Sequence, residues 1–155
     1  MGDFLYICGM EKEFVPYELD LRMKALGFDE PCLGYYAADI LCTGQPREIQ
    51  LDEDGNYKKS KTESFPIIVA PTYSQAFRWF REKYGLYSWI KLHNGYINDS
   101  LYPELPITFS IMDRKTGNES YERDIPHNYL YKTNEEAELA CLEKLLEIVE
   151  QQKTK

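Results

Sequence analysis

The fold is decided by one stretch of the chain, residues 71–85, which reads PTYSQAFRWFREKYG. Thr72 is a good N-cap after Pro71, and Gly85 is a natural residue to end a helix. Between them, aromatic side chains recur at i, i+4, i+7 and i+11, which places them on one side of a helix: Tyr73, Phe77, Phe80 and Tyr84. This spacing predicts an amphipathic helix whose aromatic stripe packs on one face of a sheet.

The residues that follow predict three strands and a second long helix. The strands are 87–92, 107–112 and 119–125, and the turn Lys115-Thr116-Gly117-Asn118 makes a hairpin of the last two. Within 107–112, Ile107, Phe109 and Ile111 alternate with Thr108, Ser110 and Met112, which is typical of a strand. Thr133-Asn134-Glu135-Glu136 is a capping box, which starts a helix running to about Gln152.

The last helix carries an unusually broad apolar arc. One side of it is formed by Ala137, Cys141, Leu145 and Ile148, and the arc is widened by Leu139, Leu142, Leu146 and Val149. Such width is typical of a helix buried on two sides. We expect the first side to lie beside the aromatic stripe. The second would meet either the N-terminal helix or a second subunit, which makes a homodimer possible.

The N-terminal half predicts one helix and several short strands. A helix with its lead-in occupies 10–28, with Pro16 at the first helical position and Gly27 just past the end. Residues 33–42 and 65–70 are predicted as strands.

The polar segment 43–64 is predicted to be a mobile loop or hairpin, with a turn at Asp54-Gly55-Asn56. Together these elements predict an α+β fold, a small antiparallel sheet covered by helices. Its α-β-β-β-α core spans about 71–152. We expect a single domain over 1–155 with residues 1–9 as a peripheral extension.

Composition restricts the classes of function. The 155 residues are 43% hydrophobic and 14% aromatic, which is typical of a globular chain. A net charge of −8 repels nucleic acid and anionic membrane, and the apolar runs are too short to cross a bilayer. We therefore expect a cytoplasmic protein with no membrane association.

No catalytic or metal-binding pattern is present in the sequence. The two histidines, His93 and His127, lie in polar, loop-like contexts, and the cysteines lack ligand spacing. Asp52-x-Asp54-x-Asn56 is similar to the start of a calcium loop, but Tyr57 occupies the position that requires glycine. We expect no catalytic residues, no cofactor and no metal, and a protein that is not an enzyme.

One group of side chains on the first aromatic helix is a candidate binding surface: Arg78, Trp79, Arg81 and Lys83. Trp79 lies about 100° from the centre of the aromatic stripe, where it can be partly exposed. An exposed tryptophan flanked by arginines is typical of a binding hot spot. The alternative is an ordinary solvated helix face, with Trp79 packed inward.

Three segments carry a resemblance to a group of proteins. They are 26–32 (LGFDEPC), 70–86 (APTYSQAFRWFREKYGL) and 131–145 (YKTNEEAELACLEKL). Together they resemble small uncharacterised proteins encoded by prophages and mobile elements of anaerobic gut bacteria. The resemblance implies a mobile-element origin. It brings no functional residues with it, and it implies that Met10 is the usual first residue.

A second resemblance concerns topology. The order helix, three strands, helix is similar to that of double-stranded-RNA-binding domains, which place basic residues near the start of the last helix. Here the corresponding segment, 133–152, carries six glutamates and one lysine. The resemblance therefore implies a fold and not RNA binding.

The leading hypothesis is a non-enzymatic protein-interaction module of phage or mobile-element origin with an unidentified protein partner. It rests on the broad apolar arc and on the absence of a catalytic pattern. The alternatives are nucleic-acid binding through Arg78, Arg81 and Lys83, and acidic mimicry of DNA.

Overall fold

The computed structural model describes residues 11–37, 39–43, 53–54, 57–58, 64–92, 106–120 and 130–153. Two compact units divide the chain, Met1–Ser74 and Gln75–Lys155. The expected extension 1–9 and both histidines lie outside the described residues, and the expectation of a single domain stays a prediction. The architecture is α+β, as predicted.

The described part of unit 1 contains one α-helix and short antiparallel strands. A 3-10 turn, Glu11–Glu13, precedes helix α1, Tyr17–Ala25. The first sheet has the order β2-β1-β5, and a separate pair is formed by β3 and β4. The strands are β1 Gly34–Ala37, β2 Ile40–Thr43, β3 Tyr57–Lys58, β4 Ser64–Phe65 and β5 Ile67–Ala70.

Helix α1 ends as its sequence predicts. Gly27 has a φ of 92°, its N–H donates to the carbonyl of Lys24, and the N–H of Phe28 donates to that of Met23. These two bonds form a Schellman motif, and Phe28 is buried after it. At the other end, Pro16 is the N-cap and not the first helical residue.

The single strand predicted over 33–42 is wrong, because these residues form a hairpin. Strand β1 pairs with β2 in a register that sets Ala37 opposite Ile40 and leaves two residues between them. No Asn-Gly or Asp-Gly pair marks this turn, so its usual sequence signal is missing.

Tyr57–Lys58 is paired with Ser64–Phe65. The hairpin expected around the turn Asp54-Gly55-Asn56 would pair Tyr57–Lys58 with 48–51 instead, and 48–51 lies outside the described residues.

The core of unit 1 lies where β1 and β5 meet the segment before α1. Phe14, Tyr36, Ile68 and Ala70 form one buried cluster. The Tyr36 hydroxyl donates to the Val15 carbonyl at 2.7 Å, and the Val15 N–H donates to the Pro71 carbonyl at 2.9 Å. Gly34 is needed here, because a Cβ at this position would lie 2.7 Å from the ring of Phe14.

Unit 2 has the predicted α-β-β-β-α order. Helix α2, which begins in the last two residues of unit 1, leads into it and α3 closes it; in the described residues, three antiparallel strands lie between them and are neighbours in sequence order. The elements are α2 Tyr73–Tyr84, β6 Leu86–Leu92, β7 Ile107–Asp113, β8 Glu119–Ser120 and α3 Asn134–Lys153. Strand β6 pairs with β7 along its whole length, from Leu86 opposite Asp113 to Leu92 opposite Ile107.

Glycines end the elements at one end of this sheet. Gly85, with a φ of 74°, donates to the Arg81 carbonyl and accepts from the Arg114 N–H, which ties α2 to the β7–β8 turn. Gly117, with a φ of 69°, donates to the Asp113 carbonyl and closes that turn. At the opposite end of the sheet, Ile107 exchanges two backbone hydrogen bonds with Tyr131.

Helix α3 begins with the predicted cap in a slightly different form. The Thr133 hydroxyl accepts from the Glu136 N–H at 3.2 Å, and the Glu136 carboxylate accepts from the N–H of Lys132, one residue before the expected donor. The helix packs against β7 and β6. It buries Ala137, Cys141, Leu142, Leu145, Leu146 and Val149, while Ile148 is half-buried. No large hydrophobic side chain of α3 is exposed, although Leu139 in its broad arc is half-buried like Ile148.

Helix α2 is rotated relative to the predicted stripe. Its buried side chains are Tyr73, Ala76, Trp79 and Phe80, whereas Phe77 and Tyr84 are half-buried. The buried side is therefore centred between Ala76 and Phe80. None of the helices in the described part of the chain is both long and apolar enough to cross a membrane.

Candidate functional site

The surface predicted on α2 is basic but not aromatic. Arg78, Arg81 and Lys83 are exposed, as expected. Trp79 is only 4% exposed, so the expectation of an exposed tryptophan between arginines is wrong. The alternative interpretation, with Trp79 packed inward, is the one that the structure shows.

Trp79 is buried because it belongs to an aromatic cluster on α2. Its ring meets those of Phe80 and Tyr84 edge to face, with centroids 5.0 and 5.2 Å apart. Edge-to-face contacts of this kind add to the free energy gained from burial. The Lys83 ammonium lies 4.9 Å from the centroid of the Trp79 ring, in cation–π geometry. The cluster is thus part of the core, covered by a lysine.

The exposed aromatic side chains of unit 2 lie on β6. Tyr87 and Trp89 share one face of this strand, and Trp89 is 38% exposed. Leu92 is exposed at the end of the same strand. Among the described residues of unit 2, the exposed large hydrophobic side chains are these three, so they form a candidate surface, which we call the β6 surface.

Strand β6 is also an edge of its sheet. Within the described ranges it has a hydrogen-bonded neighbour on one side only, strand β7. At seven residues it is as long as β7. The outer edge of such a strand presents backbone N–H and C=O groups to any extended chain that approaches it. From Leu86 to Ile90 this edge lies next to the exposed Tyr87 and Trp89.

The centre of the same sheet face is buried. Thr108 and Ser110 lie on β7 opposite Lys91 and Trp89, and both are buried. Strand β7 is therefore buried on both faces at these positions, since Phe109 and Ile111 on its other face are buried too. The Ser110 hydroxyl has no hydrogen-bond partner among the described residues. Among the described side chains of β6 and β7 on this face, the exposed ones lie on β6.

Basic side chains gather at the end of the sheet where β6 begins. We call Arg81, Arg114 and Lys115 the basic corner; all three are exposed. The backbone of Gly85 bonds to both Arg81 and Arg114, and the Lys115 N–H donates to the Asp113 carboxylate. Segments 71–92 and 113–118 together carry six basic and two acidic side chains, in a chain whose net charge is −8. Helix α3, in contrast, carries six glutamates and two lysines.

A small cavity of about 210 Å³ opens near this corner. It is lined by Leu86, Ile111, Asp113, Thr116, Asn118 and Ile148. Pockets for small molecules are commonly about 300–1,000 Å³. The volume of this cavity is below that range, so it gives no indication of a small-molecule site.

Unit 1 contains a buried carboxylate that the sequence pattern did not indicate. Asp20 on α1 is 0% exposed, and neither of its side-chain oxygens has a hydrogen-bond partner among the described residues. Burial raises the pKa of Asp20 to about 7, while the charge of Lys24 pulls it down. Burial also raises the pKa of Tyr36 to about 12, with a further contribution from the charge of Asp20. A proton on Asp20 at neutral pH lowers the cost of burying this group.

The buried cysteine of unit 2 is chemically inert. Burial raises the pKa of the Cys141 thiol to about 12; a hydrogen bond with Ser88 lowers it and the charge of Glu138 raises it. Since the thiolate is the nucleophile, a thiol with this pKa does not react at neutral pH. In the described ranges, no three His, Cys, Asp or Glu side chains are grouped so that they could hold a metal ion.

Comparison with protein-family models, curated proteins and solved structures gave no match.

Sequence reasoning found the basic side chains of α2 but missed the β6 surface. The available signal was the alternation in 86–92, which puts Tyr87, Trp89 and Lys91 on one face and Leu86, Ser88 and Ile90 on the other. A strand with bulky apolar side chains on both faces needs other elements packed on both of these faces, or a binding partner on one of them. Asp20 gave no such signal, because its burial depends on how α1 packs.

Proposed function

We propose that this protein is a non-enzymatic interaction module that binds an extended segment of another protein by adding it as a strand to β6. The observation that carries the proposal is the coincidence of an edge strand with the exposed Tyr87 and Trp89. The resemblance to prophage and mobile-element proteins makes a mobile-element origin part of this proposal.

The chemistry of strand addition matches what β6 offers. Backbone hydrogen bonds along the edge supply affinity without regard to sequence, and side-chain contacts on the faces supply specificity. Tyrosine and tryptophan are the residues most enriched at binding hot spots. Tyr87 and Trp89 lie two residues apart, so they would contact alternate side chains of an added strand on one face.

Self-association through α3 was motivated by its broad apolar arc, and the burial of α3 gives this idea less support. Most of the apolar arc of α3 is buried and none of its large hydrophobic side chains is exposed, whereas those exposed among the described residues of unit 2 lie on β6. A protein partner at β6 therefore explains more of the described surface than a partner at α3.

The test is selection from a random displayed peptide library of roughly nine residues, long enough to span β6. We expect enriched peptides with alternating apolar residues. In amide hydrogen exchange, a synthesised peptide from this set should slow the exchange of β6 amides. If no peptide is enriched over an unrelated acidic protein, the proposal is wrong.

A matched set of variants separates the β6 surface from exposed apolar area in general. We expect Trp89→Ala to weaken peptide binding at least about tenfold, which corresponds to about 1.4 kcal/mol. Leu33→Ala is the control, because Leu33 is 73% exposed but lies in unit 1. The control should bind as wild type does. Equal loss in both variants would argue against a site on β6.

A second candidate is nucleic-acid binding, which is favoured by the exposed Arg78, Arg81 and Lys83 on α2. Such binding weakens steeply with salt, because each phosphate contact releases counterions. A gel shift with duplex RNA, duplex DNA and single strands at low salt tests it. A complex that Arg81→Gln weakens would support this candidate over strand addition.

A further inference from the structure

The basic corner lies at the end of the sheet where β6 begins. Leu86, the first residue of β6, pairs with Asp113, and Arg114 follows directly with its N–H bonded to the Gly85 carbonyl. The Arg114 Cβ is 3.8 Å from the point that a Cβ on Gly85 would occupy. Arg81 is held at the same junction through the Gly85 N–H. An added strand that reaches Leu86 therefore comes close to exposed positive charge.

We propose that the segment bound at β6 is acidic, with its acidic residues at its C-terminal end. This inference rests on the proposed function and names the chemistry of its partner. The carrying observation is charge complementarity: the surroundings of β6 are basic in a chain whose net charge is −8. Complementary charges across an interface select the partner and raise its association rate.

The orientation follows from strand polarity. Antiparallel pairing is slightly more stable per residue than parallel pairing. A strand added antiparallel to β6 begins opposite Leu92 and ends opposite Leu86, at the basic corner. Its C-terminal residues therefore meet Arg81, Arg114 and Lys115. The opposite end of the sheet, where Ile107 pairs with Tyr131, has Lys91 on β6 and Lys132, which is followed by the acidic start of α3.

The experiment repeats the peptide selection with three proteins: wild type, the double variant Arg81→Gln/Arg114→Gln, and the control Lys132→Gln. Lys132 is exposed but lies at the other end of the sheet. We expect wild type and the control to enrich aspartate and glutamate in the C-terminal third of the peptides. The double variant should keep the alternating apolar pattern and lose the acidic bias.

A pair of synthetic peptides gives the size of the effect. The most enriched acidic peptide is compared with a twin in which asparagine and glutamine replace its acidic residues. We expect about tenfold weaker binding of the twin at about 0.01 M salt, and nearly equal affinities at about 0.3 M, because the Debye length falls from roughly 30 Å to below roughly 10 Å.

The outcomes distinguish this inference from the proposed function. If no peptide is enriched, both are wrong. Three results would keep the proposed function and overturn the inference. In each of them alternating apolar peptides are enriched, but they have no acidic bias, a basic bias, or acidic residues at the N-terminal end. A dimer in sedimentation that Trp89→Ala abolishes would identify a second copy as the occupant and overturn it. Binding of a single-stranded oligonucleotide that requires Arg81 and Arg114 would also overturn the inference.

Discussion

Helix α2 and strand β6 are neighbours in the chain, separated by Gly85 alone, and each carries one of the protein's two tryptophans. Trp79 on α2 is flanked by charged residues and is buried, whereas Trp89 on β6 is exposed. The difference comes from the geometry of the two elements. A helix can rotate until its largest ring is inside, but the alternation of a strand always leaves half of its side chains on the second face. An edge strand with bulky side chains on both faces therefore leaves some of these side chains exposed to solvent.

The largest effect that this comparison predicts is on stability. Phe80 and Trp79 are buried in the aromatic cluster of α2, so Phe80→Ala and Trp79→Ala should each lower the free energy of unfolding by on the order of 3–5 kcal/mol. Chemical denaturation measures this value. A loss below about 1 kcal/mol for Trp79→Ala would mean that the rotation of α2 described above is wrong.

The next effect is the pH dependence of stability that the buried Asp20 of helix α1 produces. Because the pKa of Asp20 is raised from 3.8 to about 7 in the folded state, that state binds its proton more tightly than the unfolded chain. The contribution of this group is fully present below about pH 4, falls as pH rises to about 7, and is then constant. The loss is on the order of 4 kcal/mol. Asp20→Asn should remove this part of the pH dependence and make the protein more stable than wild type at pH 8.

Denaturation of wild type and Asp20→Asn across this pH range tests the point. The difference between the two proteins should grow between pH 4 and pH 7. Parallel profiles would show that the carboxylate has a partner in solution.

Smaller effects test the rotation of α2 residue by residue. Phe77 is half-buried, so Phe77→Ala should cost about 1–2 kcal/mol, less than Phe80→Ala. Arg78→Ala, at an exposed position, should change the free energy of unfolding by less than about 0.5 kcal/mol. Denaturation of the three variants in one buffer gives their order. Equal losses of unfolding free energy in Phe77→Ala and Phe80→Ala would support the buried aromatic stripe that the spacing alone predicts.

A small effect on stability is also expected at the β6 surface. Trp89→Ala should change the free energy of unfolding by less than about 1 kcal/mol, because the ring is exposed at an edge. The same variant should lose binding of the selected peptides. Stability and affinity measured on one preparation separate the two roles. A loss of several kcal/mol would place Trp89 in the core.

Local signals predicted most of the fold of unit 2. Gly85, Gly117 and the Thr133 cap act within one turn of chain, so their effect can be read from a few neighbouring residues. The environment of Trp79 could not be read in this way, because it depends on the small Ala76 sharing the buried side of α2. The exposure of Trp89 depends on the strand order, which is set by pairing between residues far apart in sequence.

The most direct test of the difference between α2 and β6 uses the two tryptophans as reporters. Trp79→Phe leaves Trp89 as the only tryptophan, and Trp89→Phe leaves Trp79. Fluorescence quenching by acrylamide then reports the exposure of each ring in turn. We predict strong quenching and red-shifted emission from Trp89, and weak quenching with blue-shifted emission from Trp79. The reverse result would contradict the burial of Trp79 and the exposure of Trp89, and it would place the exposed aromatic side chain on α2.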